Sequence, residues 1–188
     1  MDKQSQSLLS TITLIRSDMQ FRCDYEHKQL TALRVLAFLT NHAVISQILY
    51  RFQIFFHLNH LGIFASIFKG INSLIFTVNI HSKTQIGEGL LMLHPNYIFI
   101  GKNVVLGKRC ILAQQNSIGP AYVIETEAGV SDQGPIIGDD VLCGVGCAIF
   151  GNISIGSRSK ISVNTAVDKS FPSNAILIGV PAKNLSLS

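Results

Sequence analysis

The stretch IGDDVL CGVGCA IFGNIS IGSRSK ISVNTA V, residues 137 to 167, decides the fold. Divided into sixes, it opens its hexads with Ile137, Cys143, Ile149, Ile155, Ile161 and Val167, and the fifth place of the first five holds Val141, Cys147, Ile153, Ser159 and Thr165. A helix repeats at about 3.6 residues and an ordinary strand at about 2, so a sustained six fits neither. It fits a solenoid of short strands, each hexad making one flat side and a turn, with one side chain pointing into the shaft. Glycine follows three of the hexad leaders, at Gly138, Gly144 and Gly156, where it is expected to accept the positive φ of a corner. The same phase runs upstream through Ile100, Leu106, Leu112 and Ile118, and earlier through Ile80, Ile86 and Met92. A two-residue slip between Met92 and Ile100 carries His94, and a longer break runs from Gly119 to Pro135. Interruptions of a repeat map to loops, where a solenoid puts its chemistry.

Outward from the repeat, residues 1–78 read as an α-helical N-terminal region and 79–183 as the β domain. Ser17-Asp18 reads as a helix entry before Met19, and apolar residues at threes and fours from Leu30 to Leu61 predict two helices parted near Thr40-Asn41. The segment from Ile63 to Ile80 is very apolar but holds Lys69 and Asn72 in its middle, which favours a helix packed on the solenoid or on a neighbouring subunit over a membrane span. After Val167 the rhythm gives way to Lys169-Ser-Phe-Pro172 and then Gly179-Val-Pro-Ala-Lys183, and the coil is expected to end there.

With 47% hydrophobic and 14% charged residues the chain is globular, and composition excludes disorder. The formal charge of +4 comes mostly from residues 1–78, with seven Lys/Arg against four Asp/Glu. No basic cluster interleaved with aromatics points to nucleic acid; the basic, apolar N-terminal part suits peripheral contact with an anionic membrane. Three of the four cysteines (Cys110, Cys143, Cys147) occupy hexad places and read as reduced core residues of a cytoplasmic protein rather than metal ligands, since no histidine follows His94.

The hexads, the segment from Ile86 to His94 followed by Ile98-Phe-Ile-Gly101, Gln114 before Ile118-Gly119, and the closing Gly179-Val-Pro-Ala-Lys183 resemble the serine acetyltransferase branch of the hexapeptide-repeat acyltransferases. The resemblance covers about residues 60 to 183. It implies a mainly β fold, a left-handed parallel β-helix behind the N-terminal helices, assembled as a homotrimer with acetyl-CoA in the groove between neighbouring coils. Members acetylate the hydroxyl of serine or, in the polysaccharide relatives, of a sugar.

A hydroxyl attacking a thioester needs a base, and His94 matches the family's base; a histidine titrates near neutrality and so supplies a neutral imidazole at cytoplasmic pH. His81, at the start of the coil, corresponds to a structural residue of the family. The carboxylate fifteen residues before the base, which orients it, is here Asn79, and the acidic residue just before it is Leu93. Where the family carries Arg-His-Pro, with the arginine holding the serine carboxylate, this chain reads Gln133-Gly134-Pro135. Gln114, Tyr122, Asp132 and Gln133 are the expected acceptor-binding residues. Gly144 and Val145, Val163 and Lys183 are those expected to meet acetyl-CoA. Loss of the bidentate arginine, together with Tyr122, Glu125, Glu127 and Asp132 in the long loop, favours a saccharide acceptor of surface-polysaccharide synthesis and makes free serine a poor one. Two alternatives stand beside it: a serine acetyltransferase of cysteine biosynthesis, and a non-catalytic trimeric scaffold, which Asn79 and Leu93 favour. A cytoplasmic site, at the inner face of the membrane if the N-terminal part binds lipid, completes the expectation.

Overall fold

The hexads wind into a parallel β-helix of triangular section. The computed structural model of the protein describes residues 5–121 and 132–186. The first coil comprises β1 (Val78–Ile80), β2 (Gln85–Ile86) and β3 (Leu91–Met92), and the second β4 (Ile98–Ile100), β5 (Val105–Leu106) and β6 (Ile111–Leu112). The third comprises β7 (Ser117–Gly119), β8 (Ile136–Ile137) and β9 (Leu142–Cys143), and the fourth β10 (Ala148–Phe150), β11 (Ser154–Ile155) and β12 (Lys160–Ile161). The fifth holds β13 (Ala166–Val167) and β14 (Ile176–Ile178), after which β15 (Lys183–Asn184) turns back. Every third strand stacks in parallel register, giving a first sheet β1-β4-β7-β10-β13, a second β2-β5-β8-β11 and a third β3-β6-β9-β12-β14-β15.

Register puts the hexad leaders in line, and the line is the core. Ile80, Ile100, Ile118 and Ile149 stack in the first sheet, and Met92, Leu112, Cys143, Ile161 and Leu177 in the third, each 2% exposed or less. All four cysteines are free and buried, as small apolar residues would be. The glycines serve a different end from the one expected. Gly138 and Gly144 do not have positive φ; the left-handed residues sit two places on, at Asp140 (φ 57°) and Gly146 (φ 72°). A Cβ at Gly138 would lie 2.7 Å from Ser157 N, and one at Gly144 2.9 Å from Ile161 O, so the close stacking of turns is what excludes a side chain there.

The helices form because each has its cap and its face. α1 (Leu8–Tyr25) starts at Ser7, whose hydroxyl accepts the Ser10 N–H, so the expected entry at Ser17-Asp18 lies mid-helix. The reason is tertiary: Asp18 is buried by an ion pair instead of capping. α2 (Ala32–Phe38) and α3 (His42–Leu58) part at Thr40-Asn41 as predicted, with Asn41 accepting from Ala43 and Val44 N–H, and α4 (Gly62–Phe76) packs on α3 through buried Ala65, Asn72 and Phe76. Among the described residues, no single helix is long and apolar enough to cross a membrane.

α1 and α3 close the open end of the solenoid. In the first coil the N–H groups of His81, Gly87, Leu91 and Leu93 bond to the second coil, so the carbonyls of the residues before them point the other way. All four are met by buried side chains: Ile80 O by Gln53 (2.9 Å), Ile86 O by Arg51 (2.9 Å), Leu90 O by Gln47 and Met92 O by Arg22. Arg51 also reaches Gly87 O at 2.6 Å and grips Asp18 at 2.8 and 2.9 Å, while Asp18 accepts the Leu90 N–H at 2.8 Å. Burial opposes the Arg51 charge, but the Asp18 carboxylate outweighs it and raises its pKa. A bare sheet edge is thereby paired without a strand.

The far end corrects a second expectation. The coil does not stop after Val167: Phe171 bridges to Ile155, and β14 pairs with β12, burying Leu177 completely. Pro172 and Pro181 sit in turns, so their missing donors cost no ladder bond. β15 then pairs antiparallel with β14 and covers that end.

Candidate active site

β3, β6, β9 and β12 of the third sheet are each followed by a turn into the first sheet, and these four turns stack as one corner of the prism. It comprises residues 93–97, 113–116, 144–147 and 162–165, tied by Gln115 N to Asn96 O (2.9 Å), Gly146 N to Gln114 O (3.1 Å) and Asn164 N to Val145 O (2.8 Å). The corner therefore brings His94, Gln114, Gly144, Val145 and Val163 into one column, and Lys183, paired with Ile178, stands exposed at its end. The N–H groups of Gln114, Val145 and Val163 make no hydrogen bond with any described residue. Beneath them Asn116 is fully buried, donating to Gly144 O at 2.6 Å, which fixes the turn above. His94 is exposed on the lowest turn, over buried Pro95.

The remaining candidates sit elsewhere. Asn79 lies in the middle of β1 on the outer face of the first sheet, opposite Phe99. No hydrogen bond joins Asn79 to His94, so the expected orienting contact is not made within the chain. Asp132 and Gln133 follow the long break at the other edge of the first sheet, where Asp132 pairs with Lys102 and its backbone carbonyl accepts from Asn103 at 2.7 Å. The bonded Lys102 ammonium holds Asp132 below the usual carboxylate range. Gly134 packs onto the second coil; a Cβ there would come 2.9 Å from Lys102 O and Val104 N, so that position has no room for a histidine. Tyr122, Glu125 and Glu127 lie outside the described residues.

At this edge the surface opens into a cavity of about 390 Å³ lined by Lys69, Asn79, His81, Phe99, Lys102 and Asp132, among others. His81 is half-buried, its Nδ1 accepting the Lys83 N–H at 3.0 Å, and burial together with Lys69 and Lys102 pulls its pKa below 6.5. Sequence reasoning assigned Asn79 and Asp132 to a site but missed Lys69, Phe99 and Lys102. Only the docking of α4 beside β1 brings Lys69 there, and no spacing in the sequence signals it.

No family model matches the chain. Over 109 residues it is 33% identical to serine acetyltransferase 2 of Arabidopsis thaliana, a match covering 58% of this chain and 32% of that protein. The chain thus spans about a third of that relative's length. Among solved structures, Neisseria gonorrhoeae serine acetyltransferase in complex with serine superposes with a TM-score of 0.78 at 26% identity, over 93% of this chain and 69% of that one. A serine acetyltransferase complex with CoA does so with a TM-score of 0.82 at 25% identity, over 96% and 72%. The fold is the left-handed β-helix of the serine acetyltransferases. Both comparisons point to that branch of the hexapeptide-repeat acyltransferases and overturn the expectation of a saccharide acceptor in polysaccharide synthesis, because the similar proteins are named consistently as serine acetyltransferases. The argument from the lost arginine looked only at the loop; α4 also brings a cation, Lys69, to the cavity beside it.

Proposed function

We propose that the protein transfers the acetyl group of acetyl-CoA to the hydroxyl of serine. The observation that carries this reading is the column itself: His94 stacked under Gln114, Val145 and Val163 on a fold shared with serine-bound and CoA-bound serine acetyltransferases. Acetyl-CoA supplies the thioester. The N–H groups of Gln114, Val145 and Val163, unpaired among the described residues, suit the amide carbonyls of its pantetheine arm, Gly144 lets the turn stack closely on Val163, and Lys183 offers a cation to a phosphate. His94 removes the proton from the serine hydroxyl as the new C–O bond forms, and returns it to the departing thiolate, so that O-acetylserine and free CoA result.

Within one chain His94 and Asp132 lie at opposite edges of the first sheet. A site drawing on both takes them from two copies, which agrees with a homotrimer and with the exposed Tyr97 (68%) in the same turn as His94. Thiol release from acetyl-CoA is the test. It should depend on L-serine and fall about 10²-fold or more in His94→Ala, with the assembly intact by light scattering. Mixed His94→Ala and Asp132→Ala chains should regain activity neither has alone. Absence of serine-dependent release from the wild type, or full activity in His94→Ala, overturns the reading.

A further inference from the structure

The cavity beside β1 has a charge pattern that the column at the corner does not use. Lys69 reaches it from α4, half-buried, and forms no ion pair or hydrogen bond with any described residue. Asp132 faces it from the loop, ionised and held by Lys102. The Asn79 amide, which forms no hydrogen bond with any described residue, lines the cavity with them, and so does Phe99. His81 accepts the Lys83 N–H at Nδ1, so its proton sits on Nε2 and the ring is a neutral donor. Lys102 bonds Asp132 through Oδ2 alone, which leaves Oδ1 without a partner among the described residues; a plain anion would gain Lys69 but not this acceptor, and a plain cation would meet two lysines. A small molecule carrying both charges satisfies both sides.

We infer that this cavity binds the α-carboxylate and α-ammonium of the acceptor amino acid, with Lys69 holding the carboxylate and Asp132 the ammonium. The inference rests on the serine reading and deepens it, naming the specificity residues that stand in for the arginine absent at Gln133. Lys69 comes from a helix rather than the loop. A lysine is a point charge and cannot form a two-pronged clamp, so Asn79 and the His81 N–H are the groups available to the second carboxylate oxygen.

Calorimetric titration of the full chain tests this without requiring turnover. L-serine should bind the wild type, and Lys69→Met should weaken it about tenfold or more while leaving L-serinamide, which lacks the carboxylate, within about twofold. Lys69→Arg should restore most of the loss. Asp132→Asn should weaken both ligands, because both carry the ammonium. Unchanged serine affinity in Lys69→Met, equal losses for serine and serinamide in that variant, or no serine binding by the wild type overturns the inference. Serine bound in a Lys69-dependent way without thiol release would sink the transfer reading and leave the cavity assignment standing.

Discussion

The two ends of the solenoid face the same problem and solve it differently. At the first coil, carbonyls with no coil beneath them are met by long polar side chains, Arg22, Gln47, Arg51 and Gln53, which are themselves buried. At the fifth, the chain folds back on itself, and β15 supplies backbone and the Asn184 carboxamide, which accepts the Ile176 N–H at 3.0 Å. The first solution places charge in the interior and ties the helices to the coil; the second keeps the interior apolar. The lesson is that a repeat is self-sufficient only in its middle, and its ends depend on residues outside the repeat.

The largest effect is expected where charge is buried. Arg51→Met should cost about 3–5 kcal/mol, since it strands Asp18 and uncovers two carbonyls. Often a buried pair can be replaced by apolar residues with little loss, but here Asp18→Leu with Arg51→Met should not recover stability, because Ile86 O, Gly87 O and the Leu90 N–H stay unpaired. Denaturant midpoints decide it, and a double variant as stable as wild type would break the contrast between the ends. At the other end, Leu177→Ala should cost about 2 kcal/mol, the low end for such truncations, because a terminal coil can collapse onto the gap.

Smaller still is the acid response of His81. Its folded pKa lies below the ordinary 6.5 through burial and the neighbouring Lys69, Lys102 and Lys83. The unfolded chain therefore binds more protons as pH falls, so this contribution is complete above 6.5 and is lost as pH drops through the lowered value. His81→Gln should flatten that part of the stability profile between pH 7 and 5. Least affected should be the thiols. Burial pushes Cys110 and Cys147 up to about 11, so native protein at pH 8 should react with thiol reagents far more slowly than unfolded protein. Fast labelling without unfolding would show the middle of the coil to be less closed than its ends.

Much of the corner column was legible because it is written in the repeat: once Met92, Leu112, Cys143 and Ile161 are in register, the residues after them must share a corner. Within one chain Asn79 does not reach His94, since a fifteen-residue spacing does not fix a side chain's reach across a sheet. The fifth coil was cut short because Pro172 and Pro181 read as breakers, although a proline in a turn removes no ladder bond.

What the sequence by itself determined is the coil, its register and the line of residues at its corner, because a period of six repeated over successive strands leaves one way to bury the leaders. The tertiary structure alone decided how the first coil is closed and what surrounds Asn79. Gln47, Arg51 and Lys69 belong to helices whose pattern gives only an apolar face; which carbonyls Gln47 and Arg51 meet, and which cavity Lys69 lines, depends on how α3 and α4 dock against the first coil, and that is set by packing across distant parts of the chain.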